Sequence, residues 1–317
     1  ENQCRLADQW SPSFEDGISM KTFQNKTVFL TGAASGIGRE LALQLADLDC
    51  HLYLADVDGD GLKRLVSDIG PRSQQTWTSV CDLSKPEQVA ATLDEFDQQA
   101  DVIDIVINNA GVAYYGPTEA MTPEQWAWLM GINLLAPIQI STHFLPQLMT
   151  RPESHIANMC SIAGLVAGGR FSAYHTSKFG MIGFTESLRA EYGRKGIGVS
   201  AICPGPVLTK LYDAAESSSD DKKVPTPPAW ASTSAERVAK LTINAIRKNK
   251  RQVLITPMAH GLARLKRLVP GLIDFANQVS RKKRKRLAEL QRLYPNGVVS
   301  YYNSDIAVHD FVLFNVP

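Results

Sequence analysis

No run of apolar residues in this 317-residue chain approaches the roughly 20 needed to cross a bilayer as a helix. No basic stretch followed by an apolar one opens it either, so neither a helical anchor nor a secretory signal is expected. Disulfide chemistry is equally ill-provided. Cys4, Cys50, Cys81, Cys160 and Cys203 are odd in number and show no CxxC or metal-ligand spacing. They read as small buried residues in a reducing compartment, which makes a cytoplasmic protein the expectation. The six histidines are scattered and indicate no metal site. Net charge is only +1, from 33 basic and 32 acidic residues.

What the chain does have begins with a proton-transfer pair. Tyr174 is followed four residues later by Lys178, with Ser161 upstream. A tyrosine hydroxyl titrates near pH 10 and is a poor base near neutrality unless a cation stabilises the phenolate. Positions i and i+4 share one helix face, so Lys178 can supply that cation and Tyr174 becomes a usable acid and base. Ser161 on a neighbouring element can donate a hydrogen bond to a carbonyl oxygen whose charge changes. Taken alone, a Tyr-x-x-x-Lys spacing is common on helices and is more often structural than catalytic.

A glycine turn supplies the context. Thr27–Leu30 reads as a buried strand, and Arg39–Leu48 has helical periodicity, so Gly32, Gly36 and Gly38 fall in a strand-to-helix turn. Such glycines permit a tight bend and leave a helix N-terminus facing a pyrophosphate. The next strand, 51–55, ends in Asp56, about twenty residues further on, where a carboxylate accepts hydrogen bonds from an adenosine ribose. A 2′-phosphate would meet that negative charge, and Ser35 offers no cation to hold one. NAD is therefore expected over NADP, with Arg39 the one counter-indication.

These motifs carry a resemblance. Thr31–Gly38 (TGAASGIG), Asp82-Leu83, Asn108–Gly111 (NNAG), Asn133, Ser161, Tyr174–Lys178 (YHTSK) and Pro204-Gly205 follow one another across residues 25 to about 255. In that order the chain resembles the single-domain short-chain dehydrogenase/reductase family. The resemblance implies a doubly wound parallel α/β sheet of Rossmann type, three layers αβα, strand order 3-2-1-4-5-6-7. It implies cofactor contacts from Gly32, Ser35, Gly36, Ile37, Gly38, Asp56, Asp82, Leu83, Asn109, Ala110, Gly111, Tyr174, Lys178, Pro204, Gly205, Val207 and Thr209. Asp82 would bind the adenine, Asn109–Gly111 would lie along the adenosine, and Val207 and Thr209 would bind the carboxamide. Asn133 would hold the water linking Lys178 to bulk solvent. The bland alternatives are a strand-ending turn for NNAG and a helix-bending asparagine at 133.

The coarse pattern agrees with that sheet. Helix 62–69, strand 76–80, helix 87–99 and strand 104–107 precede a long helix 123–144. Strand 155–160, helix 173–192, strand 199–202, helix 235–248 and strand 252–255 follow, an alternation that argues one parallel-sheet domain. His175 is expected to be a variable surface or pocket position.

Three segments stand apart. Residues 1–19 lack periodicity and are expected to be a disordered leader before a catalytic domain at 20–257. Residues 208–234, rich in Ser, Asp and Pro, are expected to form a substrate lid, with Leu211, Tyr212 and Trp230 lining the pocket alongside Tyr114 and Leu165. Residues 258–317 form a basic extension. From Arg247 to Arg292 fourteen basic residues accompany only Asp274 and Glu289, which leaves nineteen basic and thirty acidic residues elsewhere. Leu262, Leu265, Val269, Leu272, Ala276 and Val279 recur at helical steps before the run 281–286 (RKKRKR), though Pro270 would split that helix. Peripheral association of 262–286 with an anionic membrane, a solvated or interfacial helix, and a nucleic-acid patch remain open, the last least favoured.

The sequence therefore points to an NAD-linked oxidoreductase acting on a secondary alcohol or ketone of lipophilic character, in a homo-dimer or homo-tetramer. The alternative is a catalytically idle NAD-binding sensor or scaffold that uses the basic arm to hold a membrane or partner.

Overall fold

The computed structural model describes residues 19–100, 102–207, 216–217, 232–271 and 275. Two compact units emerge, Glu1–Ala263 and Arg264–Pro317, and everything in this subsection lies in the first apart from the end of its last helix. Strands β1 (Thr27–Thr31), β2 (His51–Asp56), β3 (Thr76–Val80), β4 (Ile105–Asn108), β5 (Ser154–Met159), β6 (Ile197–Cys203) and β7 (Gln252–Leu254) form one sheet. All pair in parallel, in the order β3-β2-β1-β4-β5-β6-β7. That is the expected order, with strand ends shifted by a residue or two.

The sheet is covered on both faces, so its central strands β1, β4 and β5 are buried along their whole length. Along β1, Val28 and Leu30 enter one core with Leu41 and Leu45 of α1 (Gly36–Ala46), Leu62 and Leu65 of α2 (Gly59–Ile69), and Val238 and Ile246 of α7 (Ala235–Arg247). Phe29, pointing the other way, joins Val89 and Phe96 of α3 (Pro86–Gln99), Phe144 of α5 (Ala136–Leu148) and Leu188 of α6 (Ser172–Tyr192). This alternation fixes the register, because a one-residue slip would exchange the two cores.

The expected helix 123–144 is helical throughout and runs on to Leu148, but a π-helical turn (Gly131–Leu135) stands within it, between α4 (Pro123–Met130) and α5. Pro137 has no N–H to donate to the Asn133 carbonyl, so the ladder widens there and the Ala136 amide bonds to the Gly131 carbonyl instead. At the other end Thr122 and Gln125 close a reciprocal capping box that starts α4.

Buried polar side chains tie the sheet to α6. Asn108 Nδ2 donates to Asn158 Oδ1 at 2.8 Å, and Asn158 Nδ2 donates to Thr185 Oγ1 at 2.9 Å. That chain joins β4, β5 and the helix that carries the tyrosine and lysine. A helix α8 (Pro257–Leu268) follows β7 and stops two residues before Pro270.

Candidate active site

The carboxyl ends of β1, β2 and β4 assemble the first half of the site. Gly32 (φ +67°) and Gly36 (φ +53°) adopt left-handed backbone between β1 and α1, as a turn this tight requires. Asn109, just past β4, braces that turn: its Nδ2 donates to the carbonyls of Thr31 (3.0 Å) and Gly32 (3.1 Å). The backbone amides of Asn109 and Ala110 both donate to Thr31 Oγ1, at 3.1 and 3.2 Å. A Cβ on Gly32 would stand 2.8 Å from the Ala110 Cα. Helix α1 begins at Ser35 with no side-chain cap, which leaves its N-terminus fit for an anion.

Asp56 closes β2. Its Oδ2 accepts from Ala34 N at 2.8 Å and its Oδ1 from Asp58 N at 3.0 Å, so the carboxylate is fixed beside the glycine turn. Two apolar side chains near it were not singled out from sequence. Val57 follows Asp56 and Val80 is its register partner on β3, and they are 68 % and 65 % exposed. Exposed valines at adjoining strand ends suit the face of an aromatic base. The signal was present in the valine after Asp56 and the valine ending TWTSV, but the first fell outside the strand reading and the second was taken as a strand residue. Asp82 begins a tight turn, its Oδ1 accepting from Ser84 N (2.9 Å) and Ser84 Oγ (2.7 Å). Leu83 packs on the second core.

The second half lies at the ends of β5 and β6. Lys178 is buried, donates from Nζ to the Met159 carbonyl at 2.8 Å, and stands 5.8 Å from the Tyr174 ring centroid. Burial pushes its ammonium below the usual lysine range, an effect the neighbouring Cys160 and Cys203 partly offset. Gly111 lies between the lysine and the asparagine: a Cβ there would be 3.4 Å from Asn133 Oδ1 and 3.5 Å from Lys178 Nζ. Asn133 sits in the π-helical turn and does not bond its own helix. Its Oδ1 accepts from Val112 N at 2.8 Å, while Nδ2 donates to the Val112 carbonyl (2.9 Å) and Ser177 Oγ (3.1 Å). Ser161 Oγ accepts from Ala163 N at 3.1 Å.

Pro204 and Gly205 follow β6. The Pro204 carbonyl accepts from Ile162 N at 2.9 Å, tying this turn to the serine loop, and a Cβ on Gly205 would collide with Thr256 Oγ1. Val207 bridges Thr233 in parallel, which joins the two ends of the segment 208–231. Thr209, Leu211, Tyr212 and Trp230 lie outside the described residues.

Among the pocket residues, Leu165 packs on the cluster of Cys160, Met181 and Cys203. Tyr114 is 3 % exposed and donates its hydroxyl to the Ala120 carbonyl at 3.3 Å, inside a cluster with Met121 and Leu129 against which Tyr174 packs. The ring of the next residue, Tyr115, lies 5.0 Å from Phe171, itself 6.2 Å from Tyr174. Cys50, Cys81, Cys160 and Cys203 are free and buried. Among the described residues no cluster of metal-ligating side chains occurs.

The comparisons with known proteins show the family and the fold. A family model described as short chain dehydrogenase matches residues 26–220. A protein of Lactiplantibacillus plantarum named "CLA biosynthesis dehydrogenase/reductase" is 32 % identical over 217 residues, covering 67 % of this chain and 76 % of its own. A short-chain dehydrogenase/reductase from Burkholderia phymatum, solved in complex with NAD, superposes with a TM-score of 0.70 at 29 % identity, over 80 % of this chain and 96 % of its own. One from Sphingobium yanoikuyae, in complex with NADPH, does so at 0.68 and 25 %, over 78 % and 95 %.

Proposed function

The chain belongs to the short-chain dehydrogenase/reductase family, and from that premise we propose that it transfers hydride between NAD and a lipophilic secondary alcohol or ketone. The observation that carries the chemistry is the convergence of Asn133, Lys178 and Gly111 beneath Tyr174, with Ser161 at the end of the adjacent strand. Bound NAD supplies the hydride acceptor and, reduced, the donor. Ser161 donates a hydrogen bond to the substrate oxygen. Tyr174 removes the proton of an alcohol or returns one to a forming alkoxide. Lys178 holds positive charge beside the phenolate, and a water held at Asn133 would link its ammonium to bulk solvent, which takes the proton.

The residues of the site fit that cofactor: the uncapped start of α1 suits the pyrophosphate, and Asp56, its carboxylate anchored by two amides, suits a ribose diol. The preference for NAD rests on charge. Arg39 is already engaged with Asp68 (2.8 Å) and Glu40 (3.4 Å), so it does not stand free to balance a 2′-phosphate against Asp56. Lipophilic substrates are favoured by the aromatic row Tyr115, Phe171 and Tyr174.

A panel of steroids, retinoids, fatty alcohols and small polar alcohols, run with NAD and with NADP, tests this directly. Turnover is expected with NAD and apolar members, and Asp56→Ala is expected to shift kcat/KM toward NADP by about tenfold or more, as loss of one charge repulsion allows. Tight NAD binding with no turnover anywhere would instead favour the idle sensor.

The basic extension is read as a membrane-surface element. Leu268, Val269 and Phe275 are 78 %, 50 % and 62 % exposed beside Arg264, Lys266 and Arg267, and each basic residue near an anionic surface contributes about 1 kcal/mol. Phosphatidylcholine vesicles containing phosphatidylserine are expected to sediment the full chain at low salt, and much less of a Leu268→Ser/Phe275→Ser variant. No sedimentation of the full chain, or equal sedimentation of the variant, would refute membrane binding through this element, and equal sedimentation with uncharged vesicles would refute its electrostatic part.

A further inference from the structure

His175 directly follows the tyrosine, and both of its ring nitrogens are occupied. Nδ1 lies 2.8 Å from the Ala163 carbonyl oxygen, and Nε2 accepts from Gly168 N at 2.9 Å. A carbonyl oxygen only accepts and a backbone N–H only donates, so Nδ1 carries the proton and Nε2 is bare. The ring is neutral, held in one tautomer, and has no lone pair left for a substrate. It is not a second base.

Its partners show what the ring is for. Ala163, whose carbonyl it holds, donates its amide to Ser161 Oγ at 3.1 Å. That bond uses a lone pair of Oγ and turns the Ser161 O–H away from Ala163, free to donate elsewhere. The same stretch is pinned from below, since Ile162 N donates to the Pro204 carbonyl (2.9 Å) and Gly164 N to the Ser161 carbonyl (3.0 Å). Gly164 also presses on α6 so closely that a Cβ would be 2.5 Å from the Lys178 carbonyl oxygen. Without the histidine, the Ala163 carbonyl and the Gly168 amide would lose their anchor to α6.

We propose that His175 is a positioning residue: through the Ala163 peptide it sets the direction of the Ser161 hydroxyl relative to Tyr174, and through Gly168 it holds the 162–168 loop against α6. The helix that carries the acid/base thus also carries the clip that aligns the hydrogen-bond donor. This rests on the oxidoreductase reading for its kinetic consequence but not for its geometry, and the test separates the two.

The first readout needs no substrate. Histidine-selective ¹⁵N spectra of the NADH-loaded protein are expected to show His175 protonated at Nδ1, with a Gly168 amide that exchanges slowly and loses protection in His175→Ala. The second uses whichever panel member turns over fastest. His175→Ala is expected to lower kcat about tenfold, as a misaligned hydrogen-bond donor does, while NADH affinity stays within about twofold. His175→Asn, whose amide nitrogen takes the place of Nδ1, is expected to recover most of that loss, and His175→Gln, which reaches only Gly168, little of it. In a Ser161→Ala background, His175→Ala is expected to cost nothing further, because the two substitutions remove one interaction. An Nε2-protonated ring, a rapidly exchanging Gly168 amide in the native protein, or losses that multiply in the double variant would each overturn the proposal. If no panel member is turned over, the oxidoreductase reading fails, and the tautomer and exchange results decide the clip on their own.

Discussion

Tyr174→Phe is expected to bind NADH as the native chain does and to turn over about a thousandfold more slowly, the scale of a lost general acid/base. The substitution removes one oxygen and keeps the ring. Its packing is therefore retained: the Phe171 ring lies 6.2 Å away and the Lys178 ammonium 5.8 Å from the ring centroid. Lys178 keeps its bond to the Met159 carbonyl, so the floor of the site does not move. What disappears is the phenol placed to exchange a proton with the substrate oxygen, and the neighbouring His175 does not replace it, because both of its ring nitrogens are bonded to backbone. Ser161 can polarise that oxygen but is far too weak an acid or base to replace the phenol near neutrality. Steady-state rates from reduced-nicotinamide absorbance, paired with an NADH titration, measure both halves. A variant within about tenfold of native turnover would remove Tyr174 from the proton path, since so small a loss is below what acid/base catalysis contributes.

The sheet was legible because its strands are short runs rich in apolar and β-branched residues, most of them buried, and because glycine and carboxylate mark strand ends. Thr27–Thr31, His51–Asp56 and Thr76–Val80 appear where periodicity put them, within a residue or so. The tyrosine and lysine were legible for the same reason, as i and i+4 on one helix. What escaped was whatever depends on a contact remote in sequence. Pro137 announces a helical irregularity, but whether the helix breaks, kinks or widens is decided by the packing around it. Asn133 bonds the Val112 backbone 21 residues away, a partner no spacing rule names. His175 looked dispensable because its two partners are backbone groups, and a main-chain carbonyl has no signature in a sequence. The glycines show both sides. Their clustering signalled a turn, while atoms that crowd Gly32 and Gly205 belong to Ala110, Asn109 and Thr256, far along the chain.

Gly38→Ala puts that last point at risk in a single methyl group. Gly38 has an ordinary helical backbone, so no conformational penalty attaches to alanine, and by helix propensity alone the change would stabilise α1. Its added carbon, however, would coincide with the Gly32 carbonyl oxygen and stand 2.7 Å from Asn109 Nδ2. Neither can retreat cheaply. The Gly32 carbonyl belongs to a left-handed turn whose own Cβ position is filled by Ala110, and Asn109 is committed to the carbonyls of Thr31 and Gly32. Helix α1 must therefore lift from the turn, which loosens Leu41 and Leu45 in the core beneath it and moves its N-terminus from the pyrophosphate position. The expected result is a loss of about 2 to 3 kcal/mol of stability, the upper range for overpacking, and NADH binding weakened roughly a hundredfold, equivalent to a similar energy. Gly183→Ala is the matched control. Gly183 lies on α6 with nothing within 4 Å of a Cβ, so the same exchange there is expected to stabilise the fold by about 0.5 to 1 kcal/mol and leave NADH binding unchanged. Urea unfolding and NADH fluorescence titration of the two variants distinguish crowding at the turn from a general effect of alanine in a helix. Gly38→Ala with native stability and native affinity would mean that α1 and the turn are not in the close contact from which the cofactor site is built.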